Sequence, residues 1–213
     1  MAPPLGMYGK RLLEEKPLNP LLRLARFIDA LNERVGQLVC WLVLAAVLIS
    51  SGNAAFRYVF NNSSNAWLEL QWYLFSAIFL FGSGYALLHH AHVRIDIFSS
   101  RLSKRTQTWI DILGTLFFLL PMALLILYLS FPVAIRAFVS NEMSSNSGGL
   151  PVWPARFMIP IGFTLLILQG VSELIKRIAF LKGLIPDPSE RIVKKTAEEE
   201  LAEEILRQRG EKA

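Results

Sequence analysis

The stretch Trp67–Asp96, WLELQWYLFSAIFLFGSGYALLHHAHVRID, decides how the chain is read. It opens on tryptophan and glutamate, runs apolar from Tyr73 to Leu88, and leaves through His89, His90, His92, Arg94 and Asp96. At ~1.5 Å rise per residue, a helix over Trp67–Leu88 covers about the ~30 Å of a bilayer core. Three more apolar segments of similar length flank it. The expected fold is an all-α membrane protein with four transmembrane helices, preceded by an amphipathic interfacial helix.

Composition points the same way. Of 213 residues, 53% are hydrophobic and 18% charged, where a soluble domain carries about a quarter charged, and mean hydropathy is +0.40. The net charge of +5 reports basic segments facing anionic lipid. No basic patch is interleaved with aromatics, so nucleic acid is not an expected partner. Cys40 is the only cysteine, which excludes an intrachain disulfide and a CxxC redox pair.

Outward from the central stretch, the chain divides into a charged tail (1–17), an amphipathic helix (18–37), a four-helix membrane domain (38–180) and a second charged tail (181–213). The spans are expected at about 38–58, 67–88, 109–132 and 155–176. Asn19-Pro20 is a cap followed by proline at the first helical position. Leu21, Leu24, Ala25, Ile28, Leu31 and Val35 then recur at helical spacing, with Arg23, Arg26, Asp29, Asn32, Glu33 and Arg34 expected on much of the remaining surface, the pattern of a helix lying in the membrane interface. Ser50–Asn53 and Gly82–Gly84 are small or polar notches suited to close helix packing. Pro121 predicts a bend in the third span. Gly148, Gly149, Pro151 and Pro154 prescribe a turn-rich connection between the last two. All but three of the 22 Lys and Arg residues lie in the two termini and the loop after Leu88; the exceptions are Arg57, Arg136 and Arg156. By the positive-inside rule both termini are cytoplasmic.

Two constellations invite chemistry. His89, His90 and His92 could hold haem or a metal, but they cluster at one membrane edge and the other spans contain no histidine. The charges on the opposite side, Arg57, Glu69, Arg136, Glu142 and Arg156, are candidates for subunit or lipid contact. No Asp, Glu, Lys or His lies in the middle of a span, so the chain alone makes a poor ion-coupled carrier. No catalytic residue, substrate site, metal site or cofactor is expected. The competing readings are a haem- or metal-binding membrane anchor using His89, His90 and His92, and a stand-alone small channel or carrier.

Several of these residues carry a resemblance. Arg57-Tyr58-Val59-Phe60, Trp67 with Glu69-Leu70, and His92-Val93-Arg94-Ile95-Asp96 resemble the small permease subunit of TRAP (tripartite ATP-independent periplasmic) transporters, the DctQ-like family, over about residues 20–180. GGLPVWPARFMIPIGF and LQGVSELIKRI resemble its mannitol/chloroaromatic or 2-oxo acid branch. Leu68 stands where the family often has the first acid of a Glu-Glu pair. The resemblance implies a bacterial inner-membrane complex with a large permease subunit, which holds the substrate and sodium sites, and a periplasmic substrate-binding protein. It implies organic-acid import by sodium symport, with the small subunit as the fixed scaffold. Trp67 and Glu69 would anchor the second helix at one rim, and His92, Arg94 and Asp96 at the other.

Overall fold

In the computed structural model, residues 20–60, 64–89 and 103–185 are described. Four helices account for nearly all of them: α1 (Pro20–Phe60), α2 (Asn65–Leu88), α3 (Lys104–Val139) and α4 (Trp153–Leu181). Each is long and apolar enough to cross a membrane. The fold is all-α, and four helices of membrane-crossing length are present among the described residues, the number expected.

The amphipathic segment and the first span are one uninterrupted helix of 41 residues, about 60 Å long. Pro20 starts it where a missing N–H is harmless, and no proline follows within it to break it. Helix α3 is capped at its start by Ser103, whose hydroxyl accepts the Thr106 N–H at 3.2 Å. Its middle is a π-helical turn, Thr115–Leu119, just before Pro121. Proline has no N–H to give back along the helix, and the wider turn accommodates that lost bond. Pro132 in α3 and Pro160 in α4 are carried inside their helices.

Helix α4 is the hub. One third of its most apolar stretch is buried, against 11–17% in the other three. Small residues let it approach its neighbours. A Cβ on Gly162 would stand 2.7 Å from the Leu80 Cβ and 2.9 Å from the Leu80 carbonyl oxygen; between α1 and α2, one on Gly84 would meet the Asn32 side chain. Between the bundle ends, much of the remaining helix surface is apolar and open, including Trp41, Trp72, Phe79 and Phe118, as expected of surface that lipid or a partner covers. Grooves of about 1000 Å³ between α3 and α4 and about 690 Å³ between α2 and α3 are lined mainly by Leu, Ile, Phe and Met.

Candidate functional site

The polar residues gather at the two ends of the bundle, here called upper (Glu69 and residues 140–152) and lower (Gln169–Arg177). At the upper end Glu69, 9% exposed, faces the connection between α3 and α4. Its carboxylate accepts the Asn146 side-chain amide at 2.8 Å, the Leu150 backbone N–H at 2.6 Å and the Ser144 hydroxyl. The Tyr73 hydroxyl donates to the Pro151 carbonyl at 2.7 Å, and the Asn65 amide to the Ser147 carbonyl at 2.9 Å. Met143 and Pro151 form a β-bridge across the connection. Its tip is a tight turn in which the Gly149 N–H donates to the Asn146 carbonyl at 3.0 Å. Gly148 sits at the third position of that turn with φ 71°, where glycine avoids a side-chain clash. A Cβ on Gly149 would come within 2.8 Å of the Glu69 carboxylate, so glycine also allows the loop to close on it. The Arg156 guanidinium grips both oxygens of Glu142, at 2.6 Å to one of them.

The lower end is a seam of charged and amide side chains. Gln169, Ser172, Glu173, Lys176 and Arg177 recur at three- and four-residue spacing and so share one face of α4. Gln169 accepts the Asn32 amide at 3.0 Å and donates to Asp29 at 2.9 Å. Asp29 also accepts the Ser172 hydroxyl at 2.6 Å and pairs with the Lys176 ammonium at 3.1 Å. Lys176 reaches Glu173 at 2.5 Å. Arg177 pairs with Asp111 of α3. Nearby, the His89 ring lies 2.7 Å from Glu33 and joins α2 to α1. Gln169, Glu173, Asn32 and Ser172 are the largest fully buried side chains described. Glu173 Oε2 and Arg177 Nε lack hydrogen bonds but face each other at 3.8 Å.

Of the residues singled out in the sequence, Glu69, Glu142 and Arg156 belong to the upper connection. Arg57 and Arg136 are exposed on the last turns of α1 and α3, and their side chains form no ion pair or hydrogen bond among the described residues. Trp67 borders a groove of about 380 Å³ with Leu48, Ile49, Gly52, Asn53 and Phe56. His90, His92, Arg94 and Asp96 lie outside the described residues. Among the described residues no group of three or more His, Cys, Asp or Glu could hold a metal ion. The Ser83 hydroxyl donates to the Leu80 carbonyl of its own helix at 2.7 Å.

The lower seam escaped sequence reading. Asp111, Glu173, Lys176 and Arg177 sit near span ends, where they look like ordinary interfacial charges. The available signal was the repeat of Gln169, Ser172 or Glu173, and Lys176 or Arg177 along one face of an apolar helix. Both ends have the chemistry of fasteners, since their polar groups are directed at other helices or loops of the same chain.

No curated protein and no solved structure matches the chain. It does match the family described as tripartite ATP-independent periplasmic transporters, DctQ component, over residues 46–180. That region contains three of the four helices, the end of α1, the Glu69 clamp and most of the seam on α4. The chain is a multi-pass membrane protein and belongs to the DctQ component family of TRAP transporters.

Proposed function

We propose that the chain is the fixed, non-catalytic scaffold subunit of a TRAP-type secondary transporter in the bacterial inner membrane. It works with a large permease subunit and a periplasmic substrate-binding protein to import an organic acid with sodium. The upper end faces the periplasm and both termini face the cytoplasm. The observation that carries the reading is the fate of the buried polar groups. Asp29, Asn32, Gln169, Glu173, Lys176 and Arg177 bond to one another, and Arg177 also pairs with Asp111. A carrier instead directs such groups toward a passing ion or substrate. The grooves on this bundle are apolar, which suits lipid or a neighbouring helix.

The fastened connection at residues 140–152, with Arg57 and Arg136 beside it, is the face offered to the loaded binding protein. His92, Arg94 and Asp96 belong to the cytoplasmic loop that helps hold the complex. Reconstitution into liposomes tests the reading. Sodium-driven organic-acid uptake should require all three proteins, and the large permease should copurify with this chain. Uptake by this chain alone, or its purification as a stable species that never retains a large permease, would overturn it.

A further inference from the structure

The lower half of α1 divides its residues between two sides. Ala25, Ile28, Asn32, Gly36 and Val39 are buried against the bundle. The opposite stripe, Arg23, Phe27, Ala30, Arg34 and Trp41, is exposed, with Arg26 and Leu24 on its flanks. This is not the apolar face expected from spacing. Leu21 and Leu24 remain 58% and 48% exposed, and Phe27 68%, while the amide of Asn32 faces inward.

The charges are segregated in the same way. Both acids of this segment turn to other helices, Asp29 to Lys176 and Glu33 to His89. Arg23, Arg26 and Arg34 form no ion pair or side-chain hydrogen bond among the described residues. Three guanidinium groups are therefore left on one outward surface, interleaved with large apolar side chains. Guanidinium binds phosphate oxygens in a two-pronged geometry. Exposed Leu and Phe beside such groups favour the boundary between headgroups and acyl chains.

We infer that this face of α1 is a docking surface for anionic phospholipid. Arg23, Arg26 and Arg34 hold the lipid phosphates, and Leu24 and Phe27 enter the acyl layer. The inference rests on the membrane-scaffold reading and adds the lipid class and the residues that select it. The bonding of Asp29 to α4 and of Glu33 to His89 is what leaves the surface cationic, because it directs the neighbouring acids away from the arginines.

The test uses the full chain, purified with its large permease partner, in micelles containing equal amounts of phosphatidylglycerol and phosphatidylcholine. Native mass spectrometry should show several-fold more phosphatidylglycerol adducts on this subunit. The triple variant Arg23→Gln/Arg26→Gln/Arg34→Gln should lose most of that preference, while Arg57→Gln/Arg136→Gln at the other end keeps it. A nitroxide attached in the variant Phe27→Cys/Cys40→Ser, in bilayers of the same two lipids, should be reached by oxygen and shielded from a water-soluble quencher. An unchanged lipid preference in the triple variant would overturn the inference. So would a label open to water or shielded from both quenchers, or loss of the permease partner with lipid adducts intact. Failure of the scaffold reading would appear separately, as uptake by this chain alone.

Discussion

The two ends of the bundle are fastened by different chemistry. At the upper end one carboxylate, Glu69, collects neutral donors from a loop. At the lower end Asp29, Asp111, Glu173, Lys176 and Arg177 draw three helices together through opposite charges. Neutral donors on a carboxylate specify the conformation of a short segment, because each has its own direction and position. Opposed charges buried between helices fix which helix lies beside which, since a wrong neighbour would leave a charge unpaired in a poorly solvating environment. The upper end is therefore suited to presenting a shaped surface, and the lower end to setting the order of the helices.

The difference breaks most sharply at Arg177. Arg177→Ala leaves Glu173 and Asp111 without their guanidinium, and loss of one partner from a buried pair costs about 3–5 kcal/mol. Unfolding of the subunit in mixed micelles should show a loss of that size. A stable Arg177→Ala protein would mean that the seam does not order the helices.

Gly162→Ala should come next. The new methyl meets the backbone of Leu80 as well as its side chain, so rotamer adjustment alone cannot relieve it. Overpacking of this kind costs about 1–3 kcal/mol, read in the same unfolding experiment. Gly52→Ala is its control, because nothing stands within 4 Å of that Cβ, and the isolated subunit should be nearly unchanged.

Glu69→Gln sharpens the contrast at the other end. It keeps the shape but replaces charged acceptors by one neutral acceptor and an amide donor, which opposes the Leu150 N–H or the Asn146 amide. Amide exchange in residues 144–151 should quicken by about tenfold, while the unfolding midpoint moves much less than in Arg177→Ala. Equal damage from the two substitutions would erase the distinction between loop clamp and helix seam.

The smallest effect belongs to Arg156→Ala. In its pair with Glu142 the two side chains are 32% and 40% exposed, and such pairs contribute about 0–1 kcal/mol. Stability should barely change. Capture of the binding protein by the assembled transporter is the more sensitive measurement, and a clear drop there would place this pair on the contact surface.

The membrane class and helix number were legible because hydrocarbon demands long apolar runs, and those are visible residue by residue. Glu69 and the pair Glu142 and Arg156 stood out because charges are sparse on that side of the chain. Their partners did not, because the loop from Ser144 to Leu150 lies some 75–81 residues from Glu69 along the chain. Likewise, the spacing of Leu21, Leu24 and Ile28 announced an amphipathic helix without showing which side would pack. Alanine, glycine and asparagine share the buried face with Ile28 and Val39 because small side chains allow close contact with α2 and α4, while Leu21, Leu24 and Phe27 were left outside.

The sequence by itself determined that the chain lives in a membrane, how many times its apolar segments cross, and where its charges are sparse. Those properties follow from local length and polarity, which need no knowledge of neighbours. Only the tertiary structure decided that α4 is the hub, that Asp29 and Glu173 face Lys176, and that three arginines on α1 remain outside. Those outcomes depend on which helix faces meet, and pairing between residues some 140 positions apart leaves no periodic trace in the chain.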